Sequence, residues 1–152
     1  MSTTPSQELF TATRGGGAQL DGRRIRVSKQ KHLDGSLIGT GFPYRENDRW
    51  LEVYLNQFRG VMNVASDCRR IGSAALDLCY VAAGRMDGFW EFGLQPWDIA
   101  AGTLILREAG GIVSSMTDDG DYMETGNLIA GTPPVHAELE TLLKPFITQT
   151  IA

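Results

Sequence analysis

The spacing of hydrophobic residues predicts strands and helices that follow one another along the chain. Strand patterns, in which apolar residues alternate with polar ones or form short runs, lie at residues 8–28, 36–42, 88–91, 112–116 and 127–131. Helical patterns, in which apolar residues recur every three or four positions, lie at about 48–66, 73–83, 96–108 and 134–146. Because strands and helices interleave, the sequence predicts the α/β class, with a mixed β-sheet flanked by helices.

The N-terminal strand pattern contains two glycine-rich breaks, and both favour turns. Asp21-Gly22 is typical of the tight turn of a β-hairpin. Gly15-Gly16-Gly17 has the composition of a phosphate-binding loop, but such loops lead from a strand into a helix. Here the strand pattern continues after the glycines, so the sequence predicts a turn.

The helical pattern at 48–66 carries three aromatic residues, Trp50, Tyr54 and Phe58, on its apolar face. Their spacing favours burial in the core over a ligand-binding cage. Asn47 or Asp48 is the predicted N-cap, because a short polar side chain can accept hydrogen bonds from the first free N–H groups of a helix.

The composition restricts the classes of function. The chain has 152 residues, of which 42% are hydrophobic and 21% charged, as expected for one globular domain. Its 14 Lys and Arg against 18 Asp and Glu give a net charge of −4, which argues against broad nucleic-acid binding, and no DNA partner is expected. No apolar run reaches the ~18 residues of a membrane span and no secretory signal is visible, so a cytoplasmic location is expected.

Two cysteines, Cys68 and Cys79, and two histidines, His32 and His136, are too few for a zinc site or a disulfide framework. Any metal would therefore be held by oxygen ligands, which favours magnesium, manganese or calcium. The run Asp-Asp-Gly-Asp at 118–121 lacks the ligand spacing of a calcium loop, and we interpret it as a β-turn.

The start of the second predicted helix has the character of an anion-binding site. Gly72, Ser73 and Ala74 present small side chains beside the free N–H groups of the first turn, where a phosphate or a sugar hydroxyl can bind. The alternative, which the spacing alone favours, is that Ser73 only caps the helix and the small residues allow close helix packing.

The next helix start, at Pro96, places Asp98 in the first turn, where the helix dipole favours an ionised carboxylate that can bind a hard cation. Glu91 ends the preceding strand, and with Asp87 and Asp98 it forms an acidic set at a strand-to-helix junction, where α/β sheets place ligands. The alternative is an ordinary N-terminal acid at Asp98 beside a core aromatic residue, Trp97.

Taken together, these motifs resemble the inositol monophosphatase family, especially its bacterial members. The resemblance is carried by Gly-Ser-Ala-Ala-Leu-Asp-Leu at 72–78, Pro-Trp-Asp-Ile-Ala-Ala-Gly at 96–102 and Glu-Ala-Gly-Gly at 108–111. Flanking segments agree from about residue 8 onward: Glu-Leu-Phe-Thr-Ala at 8–12, Arg-Gly-Gly-Gly-Ala at 14–18, Thr-Gly-Phe-Pro at 40–43 and Gly-Asn at 126–127. The resemblance implies the layered sugar-phosphatase fold.

The same resemblance implies a magnesium-dependent, lithium-sensitive phosphatase that converts myo-inositol 1-phosphate to inositol and phosphate with a metal-activated water. Asp98 would then ligate a Mg²⁺ ion, and Glu91 would accept hydrogen bonds from inositol hydroxyls. The backbone of Gly72, Ser73 and Ala74 would line the substrate pocket. A homodimer is also expected, and a protein partner is kept open.

One departure from the family is large. Its Asp-Pro-Ile/Leu-Asp-Gly-Thr signature, and the upstream glutamate that shares the first metal, are absent. The chain therefore resembles the C-terminal half alone, with residues 1–28 as a hairpin remnant of the first sheet and 29–152 as the C-terminal α/β domain. Of the ligands for two or three Mg²⁺ ions only Asp98 would remain, so no complete catalytic set is expected and the isolated chain is expected to be inactive.

Two alternatives stay open. The half-domain can serve as a non-enzymatic module for dimerisation or protein binding, and an exposed apolar surface would favour such association. The phosphatase can also act on a related sugar or nucleotide bisphosphate. Glu91, placed before the Trp-Asp motif, favours inositol phosphate over those substrates.

Overall fold

The computed structural model describes residues 2–3, 7–43, 50–118 and 120–147. Its strands are β1 Ser2–Thr3, β2 Glu8–Thr13, β3 Gly17–Leu20, β4 Arg23–Ile25, β5 Leu37–Thr40, β6 Asp67–Arg69, β7 Gly88–Glu91, β8 Ile112–Ser115 and β9 Leu128–Gly131. Its helices are α1 Leu51–Met62, α2 Ala74–Ala82, α3 Pro96–Glu108, α4 Tyr122–Thr125 and α5 Pro133–Leu143, followed by a 3-10 turn at Lys144–Phe146. None of the helices in these ranges has the length and apolar content needed to span a membrane.

The strands β1 to β4 form an antiparallel sheet in chain order. Between β3 and β4, Asp21 and Gly22 both have left-handed φ angles, of 51° and 78°, as a type I′ hairpin turn requires. The turn pairs Leu20 with Arg23 and fixes the register of the two strands. The hairpin predicted from Asp21-Gly22 is therefore confirmed.

The glycine triplet forms the turn between β2 and β3, as the sequence predicts. The N–H groups of Gly15 and Gly17 each donate a hydrogen bond of 2.9 Å to the carboxylate of Glu108, at the C-terminal end of α3. Both glycines have positive φ angles, which lets their N–H groups converge on one anion. The anion that this turn binds is therefore a side chain of the same chain.

The second sheet is mixed, with the strand order β6-β5-β7-β9-β8. β5 is parallel to both of its neighbours, β6 and β7, whereas β9 is antiparallel to β7 and β8. The three parallel strands therefore end at the same edge of the sheet, and this edge carries the candidate site.

Two hydrophobic clusters show how the layers stack. One joins Phe10 and Ala18 of the first sheet to Leu78 of α2, Ile99 of α3 and Phe89 of the second sheet, so α2 and α3 lie between the two sheets. The other packs α1 and α5 on the opposite face of the second sheet, around fully buried side chains that include Tyr54, Trp90, Ile129 and Leu139. The predicted mixed sheet flanked by helices is confirmed, and Tyr54 and Trp50 are core residues as predicted.

The structure differs from the predicted elements in four places. The two-residue strand β1 lies before the first predicted strand pattern. β6 is absent from the sequence prediction, because it has only three residues and two of them are exposed. The turn predicted at 118–121 is followed by the short helix α4, whose N-cap is Asp121; Asp119 lies outside the described residues. The N-cap of α1 is Trp50, which makes no side-chain capping bond, and the predicted caps Asn47 and Asp48 lie outside the described residues.

Candidate functional site

A cleft of about 310 Å³ opens at the edge where the parallel strands end. It is lined by Gly41, Arg70, Gly72, Ser73, Ala74, Glu91, Leu94 and Asp98. Gly41 follows β5, Arg70 to Ala74 join β6 to α2, Glu91 ends β7, and Asp98 begins α3. All five predicted site residues, Gly72, Ser73, Ala74, Glu91 and Asp98, therefore meet in one cleft, at the position where α/β sheets bind ligands.

The start of α2 forms one wall of this cleft. Gly72 has a φ of +88°, a left-handed conformation that favours glycine, and it turns the chain into the helix. Ser73 is the N-cap, and its side-chain oxygen accepts a hydrogen bond of 3.5 Å from the N–H of Leu76. The capping role considered for Ser73 is therefore confirmed, and the same residue also lines the cleft.

The start of α3 forms the facing wall. Asp98 closes a capping box, in which its Oδ2 accepts a hydrogen bond of 3.1 Å from the N–H of Gln95. This bond orients the carboxylate beside the positive end of the helix. Trp97 is 78% exposed, so the alternative of a core aromatic residue at this position is wrong; the first turn of α3 directs it to solvent.

Gly102, one turn further along α3, explains how the two helix starts come together. A Cβ at this position would lie 2.8 Å from the Cβ and Cδ1 of Leu78 on α2. α3 therefore approaches α2 more closely than any residue with a side chain would allow, and this places Asp98 opposite Ser73.

Glu91 forms the floor of the cleft, at the end of β7. A Cβ on Gly41 would overlap its carboxyl group, so the absence of a side chain at Gly41 makes room for it. Burial raises the pKa of Glu91 to about 8, and the negative charges of Asp77 and Asp98 act in the same direction. At neutral pH the Glu91 carboxyl group is therefore mostly protonated, and it can both donate and accept hydrogen bonds.

Asp77 does not line the cleft, but it raises the pKa of Glu91, and the sequence reasoning missed it. It lies on the buried face of α2, is 1% exposed, and its Oδ1 has no hydrogen-bond partner among the described residues. Burial raises its pKa to about 7, while the charge of Arg70 acts in the opposite direction. The available signal was an acid among apolar residues of a predicted helix, within the motif at 72–78.

Arg70, the positive charge of the cleft, was missed as well. Its guanidinium lies 4.9 Å from the ring centre of Phe42, and its charge lowers the pKa of both Asp77 and Glu91 against the effect of burial. The sequence signal for Arg70 was its position two residues before the anion-binding helix start at Gly72, because a cation and free N–H groups both attract an anion.

Asp87 does not belong to the acidic set that the sequence predicts. It precedes β7, at the end of the strand opposite Glu91, and there it accepts hydrogen bonds of 2.5 Å from Ser28 Oγ and 2.8 Å from the N–H of Leu37. The role of Asp87 is to hold the segment that leads into β5. The acids that interact at the cleft are Asp77, Glu91 and Asp98.

The oxygen atoms that line the cleft can supply part of a metal site but not a complete set of ligands. The oriented carboxylate of Asp98 suits a hard divalent cation. Among the described residues, however, no group of three or more His, Cys, Asp or Glu is placed to hold one ion. The residues that the structure describes therefore do not fit a two-metal centre by themselves.

Comparison with known proteins gives the same picture. The model of the inositol monophosphatase family matches residues 3–147. The chain is 50% identical over 146 residues to the Nus factor SuhB of Pseudomonas aeruginosa, covering 95% of this chain and 54% of that protein. It is 57% identical over 128 residues to the Nus factor SuhB of Escherichia coli, covering 84% of this chain and 48% of that protein.

Solved structures agree with the fold. The extragenic suppressor protein suhB from Bartonella henselae matches with a TM-score of 0.86 at 48% identity, covering 91% of this chain and 53% of that one. The inositol monophosphatase from Anabaena (Nostoc) sp. PCC 7120 matches with a TM-score of 0.84 at 39% identity, covering 92% and 55%.

The chain spans about half the length of the curated relatives that it matches. These shares do not say which half is matched, so the assignment to the C-terminal half is not confirmed and stays a prediction. The family model matches residues 3–147, and the Bartonella henselae structure covers 91% of the chain with the same fold. The chain belongs to the inositol monophosphatase family.

Proposed function

We propose that this chain forms the substrate-binding side of a magnesium-dependent phosphatase that releases phosphate from a polyol monophosphate such as myo-inositol 1-phosphate. The observation that carries the proposal is the meeting, in one cleft, of an anion-binding helix start and the carboxyl group of Glu91. Burial raises the pKa of this carboxyl group, which favours hydrogen bonds with neutral hydroxyls. The first suits a phosphate group and the second suits the hydroxyls of a polyol.

The phosphate group would bind between the start of α2 and Arg70. The first N–H groups of α2 have no partner within the helix, and the helix dipole gives them a partial positive charge. Ser73 and Ala74 leave access to them because their side chains are small. The Arg70 guanidinium adds a full positive charge from the same side.

The hydroxyl groups would bind at Glu91. A protonated carboxyl group offers one donor and acceptor capacity, which matches the dual character of an alcohol. Because Gly41 has no side chain, the carboxyl group of Glu91 has room at the floor of the cleft. Phosphate and polyol would thus be held at two separate parts of the same cleft, which fixes the direction of the ester bond.

Asp98 would supply one oxygen ligand to Mg²⁺, with the remaining ligands coming from outside the described residues. When bound, such ions activate a water and stabilise the leaving oxygen. The described residues would bind and orient the substrate. The isolated chain is expected to lack turnover, because no group of three or more His, Cys, Asp or Glu among the described residues is placed to hold one ion.

The wider expectations belong to the same proposal: lithium sensitivity, a cytoplasmic location, a division of the chain at residues 28 and 29, and a homodimer. Association is supported by an exposed apolar stripe on α1, where Leu51, Leu55 and Met62 are 42%, 45% and 59% exposed at helical spacing. A non-enzymatic protein-binding module is the second candidate, because the same stripe would serve it and because relatives at 50% and 57% identity carry the name Nus factor.

Calorimetric titration of the isolated chain with myo-inositol 1-phosphate tests the proposal. We expect saturable binding that Glu91→Ala weakens at least tenfold, because the polyol hydroxyls lose their partner. Glu52→Ala, a matched change at an exposed acid of α1, should leave the affinity unchanged.

A parallel assay of phosphate release in the presence of MgCl2 should show no turnover. Turnover by the isolated chain that Asp98→Asn abolishes would contradict the expected inactivity. Absence of ligand binding, or equal loss in both glutamate variants, would contradict the binding proposal and favour the protein-binding module.

A further inference from the structure

The basic residues of this acidic chain are concentrated in one segment. Residues 14–31 hold six of the 14 Lys and Arg but only one of the 18 Asp and Glu, which leaves eight basic against 17 acidic residues elsewhere. We call the six side chains the basic strip: Arg14, Arg23, Arg24, Arg26, Lys29 and Lys31. We propose that the basic strip binds the phosphate backbone of single-stranded RNA.

The net charge of the whole chain argues against broad nucleic-acid binding, but the strip defines a local field of the opposite sign. Charges interact over a Debye length of about 8–10 Å at physiological salt, so a ligand at the strip is affected mainly by the strip itself. All six side chains are exposed. Arg14 lies in the turn between β2 and β3, and the other five lie on β4, the last strand of the first sheet, or on the segment that follows it.

The path of this segment is fixed by the core beneath it. Ile25 and Val27 pack into the hydrophobic cluster between the sheets, and the N–H of Val27 donates a hydrogen bond of 3.1 Å to the carbonyl of Ala109. The basic residues that alternate with them, Arg24 and Arg26, therefore point outward. A row of cations on a fixed backbone loses less conformational freedom on binding than a row on a mobile tail.

The six side chains of the basic strip form no ion pairs with described carboxylates. Within residues 14–31, all of which the structure describes, no strip side chain forms an ion pair within 4.0 Å of a described carboxylate, whereas Arg69, Arg85 and Lys144 elsewhere do. Glu108 lies near Arg14 and Arg24, but its two oxygens already accept the N–H groups of the glycine turn.

A structural role explains only part of the strip. Cations near the C-terminal end of α3 stabilise the helix dipole, and charged residues protect the edge strand β4 from aggregation. These effects account for Arg23, Arg24 and Arg26. Lys29 and Lys31 lie beyond both the edge strand and the helix end, and they extend the same row of charge.

The composition of the surface favours RNA over a protein or a membrane. None of the exposed large hydrophobic side chains lies in residues 14–31. Protein interfaces rely on apolar and aromatic anchors, and stable membrane binding needs a buried apolar group besides basic charge. The phosphate backbone of a nucleic acid needs cations alone, and four of the six cations here are arginines, which bind phosphate with two donors. A flexible single strand can follow an extended row of charges, whereas the phosphates of a stiff duplex follow a fixed helical path.

Fluorescence anisotropy of a labelled 12-nucleotide oligouridine, titrated with the full chain between 50 and 200 mM NaCl, tests the proposal. If all six cations contact phosphates, the plot of log K against log salt should have a slope of about −4, a loss of roughly 300-fold across this range. The double variant Arg23→Gln/Lys29→Gln should reduce the slope to about −3. The control Arg59→Gln/Arg69→Gln removes the same charge from outside the strip and should leave the slope unchanged.

Circular dichroism and thermal unfolding of each variant check that the fold is kept. No binding at 50 mM NaCl, or an equal change of slope in strip and control variants, would overturn the proposal. Tighter binding to polyglutamate, to duplex DNA of the same length or to vesicles containing phosphatidylserine would also overturn it, in favour of that partner. Excess myo-inositol 1-phosphate should not displace the RNA, so this result is independent of the cleft.

Discussion

Asp77→Asn is expected to stabilise the protein at alkaline pH, because it removes a negative charge that burial makes unfavourable. Asp77 is 1% exposed, and its Oδ1 has no hydrogen-bond partner among the described residues. Burial raises its pKa from 3.8 to about 7. The folded state therefore holds the proton more tightly than the unfolded state, and stability falls as pH rises from about 4 to 7.

The size of the effect follows from the two pKa values. At pH 8 ionisation of Asp77 costs the folded state on the order of 4 kcal/mol relative to the unfolded state, and at pH 4 it costs less than about 1 kcal/mol. An asparagine is neutral at both pH values and nearly isosteric. For a protein of this size, we expect the melting temperature of Asp77→Asn to exceed that of the wild type by roughly 10 °C at pH 8.

Thermal unfolding followed by circular dichroism at pH 4, 6 and 8 measures this difference. The gain should shrink steadily towards pH 4, where both folded proteins carry a neutral group at position 77. Asp34→Asn, a matched change at an exposed acid, should give no comparable gain at pH 8. A lower melting temperature for Asp77→Asn at pH 8, or a gain that does not depend on pH, would refute the reasoning.

Two further predictions concern packing and protonation elsewhere in the fold. Gly102→Ala should lower the stability by about 1 kcal/mol, because overpacking against Leu78 costs more than the helix propensity that alanine gains. Gly60→Ala in α1 is the control: its nearest neighbour would be the flexible end of Leu142 at 3.0 Å, with the ring of Phe146 at 3.7 Å, and denaturant titration should show it to be neutral or stabilising. Burial lowers the pKa of His136 below 6.5, although its Nε2 lies 2.7 Å from Ser114 Oγ. The folded state therefore favours the neutral imidazole, and the stability that this residue contributes is lost as pH falls below 6.5. NMR titration of the imidazole should give a midpoint below 6.5, and a midpoint above it would contradict the structure.

The sequence could predict the site to the extent that local chemistry defines it. Ser73 is a good N-cap, Pro96 begins a helix at its first position, and both lie beside small residues. A strand end followed by a helix start is where an α/β sheet places its ligands, so the order of residues along the chain is enough to assign Glu91 and Asp98 to one site. These features are local, and the fold brings the residues that carry them to the same cleft.

The remaining site residues depend on which strands are neighbours. β5 lies between β6 and β7 although it precedes both in the chain, and only this order brings Gly41 and Arg70 beside Glu91. β6 itself has no hydrophobic alternation from which to predict it. The grouping of Asp87 with these acids overlooks the strand predicted at 88–91, because the residues before and after one strand lie at opposite edges of the sheet.

The two acids with raised pKa values make the ionised cleft costly to the folded state. Asp77 on α2 and Glu91 at the end of β7 both have pKa values raised mainly by burial. Proteins keep such unfavourable groups where they serve binding or catalysis, and variants that remove them gain stability at the expense of function. Asp77→Asn should therefore be tested for ligand affinity as well as for stability.

The central claim is that the start of α2 and Glu91 bind the two ends of one polyol phosphate. A ¹H–¹⁵N NMR titration of the isolated chain with myo-inositol 1-phosphate tests it most directly. The claim predicts that the amide signals of Gly72, Ser73 and Ala74 move together with that of Glu91, and that inorganic phosphate moves only the first three. Shifts confined to other parts of the chain, or no shift at millimolar ligand, would contradict it.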